Sequence, residues 1–300
     1  MSDQTANTPD TSNTASQTLK ENQSSDSHSK NSTDSNSQPS QNSDSKSSSA
    51  NNNDNNSDFA TPNHTPQLEA FKQVVESRRS VRRFTDTPIS DEVLDDCLRL
   101  AMLAPNSSNL QPWEFYIIDS ATIRQKANKI CMNQNAARTA ARLIAVVART
   151  DTWRKHAKQI LREYPKQPVP KMVKEYYNKA VTIDFLRGPA NVLSVAKWGM
   201  TTAFRQFKGP MKSPYYDGDD VKNWASINAS LAAENLMLAL RAYGFDSCAM
   251  GGFDEPAMKK LLNLSDNHHI VMMIGAGERA EKGIYHEQFR FAQSQFVKKV

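Results

Sequence analysis

The sequence predicts one globular domain that mixes helices and strands, with a sheet covered on both faces, behind a long polar arm. Three observations carry this reading. Three short segments are apolar or nearly so: Trp113–Ile118 (broken only by Glu114), Leu143–Ala148 and Ile270–Gly275. A strand that is apolar on both sides has to be covered on both sides, and segments of helical periodicity alternate with these three, as in layered folds. The apolar residues are also segregated. Between Met1 and Asp58 there is no Val, Ile, Phe, Trp, Tyr or Cys, whereas all ten Gly and all four Trp lie beyond.

The arm comes first. Ser and Asn make up roughly half of it, a composition that cannot offset the entropy of ordering. Residues 1–66 are therefore expected to be a disordered tail and residues 67–300 the globular body. The three lysines and eight acids of residues 1–66 leave the arm at −5, so a chain of net charge +5 has a body of +10. A basic body suits an anionic partner, whether cofactor, acidic surface or nucleic acid. No run of about 18 apolar residues exists, so no transmembrane helix is expected. The N-terminus lacks the basic flank and apolar stretch of a signal peptide. Cys97, Cys131 and Cys248 are too far apart for a disulfide scaffold or a paired-cysteine metal site. The default location is the reducing cytoplasm.

In the body, Leu68, Phe71, Val74 and Val75 recur at helical spacing and predict a helix up to about Arg78. Ser90-Asp91-Glu92-Val93 reads as a capped helix start with an acidic first turn. Its apolar face is Val93, Leu94, Cys97, Leu98 and Ala101, and it stops before Pro105. The strand Trp113–Ile118 follows, then a helix over about 121–132 and the strand Leu143–Ala148. From Asp151 to Gly218 aromatic, basic and Pro residues mix, and helical pieces with loops are expected. Trp224–Tyr243 is the strongest helix and Gly244 ends it. A short strand and glycine turn (Cys248–Phe253), a helix (Glu255–Leu262), the strand Ile270–Gly275 and a basic arm (Ile284–Val300) complete the chain.

Four constellations could carry chemistry. Arg78-Arg79-Ser80-Val81-Arg82-Arg83 places four guanidiniums and a hydroxyl in six residues. Guanidinium forks match phosphate oxygens in geometry and charge, though a basic helix end also simply complements the helix dipole. Ala104-Pro105-Asn106-Ser107-Ser108-Asn109-Leu110-Gln111-Pro112-Trp113 runs from a helix into a strand. The amides of Asn109 and Gln111 can read a heterocycle edge that presents both C=O and N–H, and the same composition is ordinary turn chemistry. Gly251-Gly252 lets backbone approach a planar ligand, or makes a tight connection. Near the C-terminus, Gln288 and Arg290 offer further polar and cationic contacts, or surface charge.

Together these four resemble the nitroreductase family of FMN-dependent oxidoreductases, over nearly the whole body and least in the middle region. The resemblance implies an α+β fold, a mixed sheet flanked by helices, in a homodimer with FMN at the interface. It places Arg78, Arg79 and Ser80 at the FMN phosphate and ribityl chain and Arg82 near the flavin ring. Asn109 falls at the isoalloxazine edge. Ser107, Ser108 and Gln111 fall in a loop contributed across the dimer, and Gly251 and Gly252 supply backbone near N5. Gln288 and Arg290 match C-terminal phosphate contacts, at the first of which a basic residue is common.

The activity so implied is a ping-pong transfer of hydride from NADH or NADPH to a small-molecule electron acceptor: a nitroaromatic, a quinone or a similar conjugated compound. The flavin carries the chemistry, so no obligate acid or base is nominated. Neither a nucleic-acid nor a membrane partner is expected. The alternatives are a specialised member of the same superfamily (a reductive dehalogenase, a flavin-fragmenting enzyme or a ring dehydrogenase) and a non-catalytic protein that binds anions or nucleic acid.

The remaining features are given plainer readings. His268-His269 have no acid or Cys at metal spacing and read as surface or packed histidines. Gly275-Ala276-Gly277-Glu278 lacks the third Gly and following helix of a dinucleotide fingerprint. Trp198, Phe204, Phe207, Tyr215 and Tyr216 suit a substrate channel, a lid, or core and dimer packing.

Overall fold

The computed structural model describes residues 65–186 and 192–300, and the Ser/Asn-rich arm lies outside the described residues. Side-chain caps start the first helices. In α1 (Pro66–Ser77) Thr65 Oγ1 accepts from Leu68 N and Pro66 takes the first position, where its missing N–H costs nothing. In α2 (Asp91–Ala101) Ser90 Oγ accepts from Val93 N. Strand β1 (Trp113–Ile117) and helix α3 (Ala121–Ile130) follow as expected. The four-residue helix α4 (Asn135–Arg138) was not foreseen. Then comes β2 (Arg142–Arg149), with six consecutive buried residues.

The middle region is mostly helical: α5 (Trp153–Arg162), α6 (Lys171–Glu175), a π turn at Tyr176–Val181, α7 (Thr182–Phe185) and α8 (Val192–Lys208). The long helix α9 (Gly218–Ala242) starts six residues before Trp224, because Asp217 caps it and Asp219 and Asp220 complement its first turn. Strand β3 (Asp246–Met250), α10 (Glu255–Leu261) and β4 (His268–Gly277) end the regular structure.

The strands form one sheet in the order β1-β2-β4-β3, with every ladder antiparallel. Its mixed character comes from an isolated parallel bridge, Ser80 to Ser247, on the edge strand β3. Both faces are covered, as the sequence demanded. Ile144, Val146 and Ala148 of β2 pack with Leu94, Cys97 and the inward side of α9. Leu143, Ala145 and Val147 pack with Ala127, Ala136 and Met258 on the other face. Gly275 in β4 is set by this second layer, since a Cβ there would lie 2.2 Å from the carbonyl oxygen of Ala136.

Two departures from the hydropathy pattern have physical reasons. Asp246 is 2% exposed, yet it opens β3 because Arg279 grips both its carboxylate oxygens, at 2.9 and 3.0 Å, and Arg241 reaches it at 3.3 Å. In α8 the polar residues Ser194, Lys197 and Thr201 are buried, while Val195, Trp198 and Phe207 are exposed. Lys197 sits there because its ammonium donates to the carbonyls of Ile183, Asp184 and Tyr215. Tyr215 belongs to the core, packed on Phe185 and Trp224. Tyr216 bonds Thr201, and Phe204 joins the exposed surface.

All three cysteines are buried and free. Burial pushes the thiols of Cys97 and Cys131 up to about 11 and raises that of Cys248 as well. The thiolate is the reactive form. The native protein should therefore be inert to an aromatic disulfide reagent at pH 8, with three thiols reacting on unfolding. A native thiol that reacts within minutes would contradict this packing.

Candidate functional site

The arginine-rich segment leaves α1 at Arg78, whose backbone N–H still closes the helix on Val74 O. From Ser80 the chain is extended and pinned on both sides. Val81 N donates to Ser247 O at 3.1 Å, and Arg82 N donates to Gly283 O at 2.8 Å. Val81 and Phe84 point into the core, so the arginines between and before them face outward. The return segment fits closely: a Cβ on Gly283 would lie 2.6 Å from Arg83 O.

That return segment carries the C-terminal residues to the arginines. Arg79 donates to His286 O at 2.7 Å, and the Arg82 guanidinium lies 5.4 Å from the centre of the Tyr285 ring. A cavity of about 320 Å³ results, walled by Arg78, Arg79, Ser80, Arg82, Gln288 and Arg290 among others. Among the described residues no carboxylate pairs with Arg79, Arg82 or Arg290, and Glu234 stands 3.9 Å from Arg78. Glu287 also lines the cavity without pairing with them, so the cationic groups outnumber the anionic one and the wall is chemically suited to an anion.

The loop before β1 is built differently. Ser108, Asn109 and Gln111 all have positive φ, at 58°, 51° and 46°. Such backbone persists only where its surroundings over-determine it, and here side chains from distant elements do so. Asn228, buried on α9, accepts from Ser107 N at 2.7 Å, and Asn106 Oδ1 accepts from Gln111 N at 2.9 Å. Tyr177 donates to Ser108 O, Tyr176 shares a 2.6 Å hydrogen bond with Ser108 Oγ, and His156 Nδ1 donates to Leu110 O at 2.7 Å. Asn109 and Gln111 line a separate cavity of about 410 Å³.

The glycine turn sits at the end of edge strand β3. A Cβ on Gly251 would meet nothing within 4 Å, so this backbone is open to a flat ligand. Gly252 O accepts from the side-chain amide of Gln134, which holds the turn against the start of α4.

The structure thus brings Arg78, Arg79, Ser80, Arg82, Gln288 and Arg290 to one cavity and places Gly251 and Gly252 farther along the same strand edge. It does not bring Ser107, Ser108, Asn109 and Gln111 to that cavity within one chain. They precede β1, the strand at the opposite edge of the sheet. Sequence reasoning missed Tyr285, Gln134, Asn228 and His156, each a lone residue far in sequence from the motif it supports. His268 and His269 are packed, His269 against Glu255 at 2.7 Å and His268 against Ser265 at 2.8 Å. Among the described residues no group of three or more His, Cys, Asp or Glu could hold a metal ion, and no helix is long and apolar enough to cross a membrane.

The chain was compared with known proteins. The profile of the nitroreductase family matches residues 75–278. YdgI of Bacillus subtilis (strain 168), which carries the name of an NAD(P)H nitroreductase, is 26% identical over 216 residues, 71% of this chain and 90% of that one. Among solved structures, the ydfN protein of Bacillus subtilis superposes with a TM-score of 0.62 at 24% identity, over 78% of this chain and all of that one. A protein of Exiguobacterium sibiricum in complex with FMN gives a TM-score of 0.58 at 22% identity, over 77% and 97% of the two chains. At these identities the superpositions speak for the fold alone.

Proposed function

Since this chain belongs to the nitroreductase family and is therefore an oxidoreductase, we propose that it uses FMN to pass hydride from NADH or NADPH to nitroaromatic, quinone or similar conjugated acceptors by a ping-pong mechanism. The observation that carries the reading is the cavity where Arg78, Arg79, Arg82 and Arg290 meet a single carboxylate residue, Glu287, which pairs with none of them among the described residues.

The residues present fit FMN. In this reading Arg78, Arg79, Ser80 and Arg290 hold the phosphate and ribityl end, with Gln288 beside them. Arg82, braced on Tyr285, stands near the ring. The open backbone at Gly251 and Gly252 lies along it, and Asn109 meets its edge. When bound, FMN supplies a two-electron hydride carrier. The chain orients it and sets its electrostatics. The positive charge of Arg82 and the Asn109 amide favour negative charge at the ring edge. Replacing Arg82 with alanine should lower the flavin reduction potential, read against a reference dye; an unchanged potential would remove Arg82 from the ring.

The split between the two groups of residues supports a site shared by two copies, the loop of one facing the β3 edge of the other. Exposed apolar pairs one helical turn apart, Ile227 with Leu231 on α9 and Phe71 with Val75 on α1, suit burial in such a homodimer. The free thiols suit a cytoplasmic location. The test is a visible spectrum, the FMN content per chain, and anaerobic bleaching by NADH or NADPH followed by recovery with a nitro compound or quinone. About one FMN per chain and a dimer by light scattering are expected. A colourless protein that FMN does not reconstitute would overturn the reading.

A further inference from the structure

The cavity beside the strained loop has a wall of unusual chemistry for an open surface pocket. Asn109, Gln111 and Gln159 bring amides to it, Tyr164 and Tyr177 bring rings, and His156 stands among them. His156 is half buried on α5. Its Nδ1 lies 2.7 Å from Leu110 O, and a carbonyl only accepts, so Nδ1 carries hydrogen. That fixes the ring and leaves Nε2 as the nitrogen presented to the cavity, with no partner among the described residues. Such a ring donates from Nε2 when charged and accepts there when neutral.

The groups around it are defined. The charged one is Glu163 on the same helix, held by Arg162 at 2.7 Å and by Gln159 at 3.1 Å. These bonds lower its pKa, so it stays an anion. The titratable hydroxyls are Tyr164 and Tyr177, and that of Tyr177 is spent on Ser108 O at 3.1 Å. A wall with amide and imidazole donors, aromatic faces and one fixed carboxylate suits a flat neutral molecule with an acceptor oxygen, and repels a carboxylated one.

Building on the reductase reading, we propose that this cavity takes the carbonyl end of a neutral quinone and that His156 Nε2 is the catalytic group that protonates its oxygen. As hydride from the nicotinamide-fed reaction reaches the quinone, its two electrons leave one oxygen as an anion. The Nε2–H bond breaks, an O–H bond forms, and the N–H pair stays on the ring. The neutral imidazole recovers a proton from water at the open cavity. Hydride and proton together make the quinol. The loop hydrogen bond is kept throughout, because Nδ1 carries hydrogen in both forms.

The probe is tetramethyl-1,4-benzoquinone, whose blocked ring carbons resist thiol addition. Without NAD(P)H it does not turn over, so it can be titrated onto the oxidised holoprotein. The His156 Cε1–H resonance, assigned by its loss in His156→Asn, should shift on titration. Asparagine places its amide nitrogen near the position of Nδ1, so this variant keeps the donor to Leu110 O and loses Nε2. It should still hold FMN and still be bleached by NADH or NADPH. Its reoxidation by the quinone should slow on the order of 100-fold. A wild-type resonance that does not move, or a variant with wild-type reoxidation, overturns the proposal. If NAD(P)H fails to bleach the wild-type holoprotein, the reductase reading falls and takes this one with it; normal bleaching with unaltered reoxidation removes only His156.

Discussion

Arg79→Glu should strip the protein of FMN. The change removes a forked cation from the cavity shared with Arg82 and Arg290 and puts a carboxylate in its place. A charge-assisted hydrogen bond contributes about 1.5–3 kcal/mol, and like-charge repulsion adds to its loss. FMN affinity should fall about 1,000-fold by equilibrium dialysis, a drop of about 4 kcal/mol. Arg79→Lys keeps the charge but not the planar fork and should lose roughly tenfold. Arg79 also holds His286 O, so the melting temperature of each FMN-free variant has to be compared with FMN-free wild type. A charge-reversed protein that retains its FMN would show that the phosphate binds elsewhere.

Gly275→Ala should be the costliest single methyl in the fold. The new Cβ would lie 2.2 Å from Ala136 O and 3.1 Å from Ala136 C, and these are backbone atoms of α4 that no rotamer change can move. Either β4 or α4 has to shift, at about 3 kcal/mol for overpacking of this kind. For a body of this size that corresponds to roughly 10 °C in melting temperature. Gly251→Ala is the matched control. Nothing lies within 4 Å of its added methyl, so the melting temperature of the FMN-free protein should be unchanged. A Gly275→Ala protein as stable as wild type would mean that α4 does not close on the sheet in this way.

The sheet was legible where its strands are apolar or, as at Glu114, broken by one polar residue. Trp113–Ile118, Leu143–Ala148 and Ile270–Gly275 each announced a strand, and each is one. The start of β3 was hidden, because Asp246 and Ser247 are polar and Asp246 is buried only through Arg241 and Arg279, which no local pattern reports. Helix α4 is a single turn and has no period to read. Helix α8 reads backwards, since Lys197 is drawn inward by three carbonyls while Val195 and Phe207 face out. In the site, the arginine run and the Asn109 loop were legible because each is contiguous. Tyr285, Asn228 and His156 were not, because each acts across a long stretch of chain, Tyr285 on the Arg82 guanidinium and the other two on loop backbone. Of the three positive-φ residues of the loop only Asn109 is a type that favours that region, and Ser108 and Gln111 give no signal.

The hydrogen bond from Arg79 to His286 joins residues 207 positions apart. The arginine run thus leaves the ribosome well before the segment that closes the cavity over it. Through most of synthesis the arginine run is present without its closing wall, and the cavity forms only when the segment after β4 has folded back along Arg82. Anion retention at this cavity should therefore require the segment after β4. A body truncated after Gly277 would keep all four strands but lack Tyr285, Gln288 and Arg290, and it should fail to retain FMN.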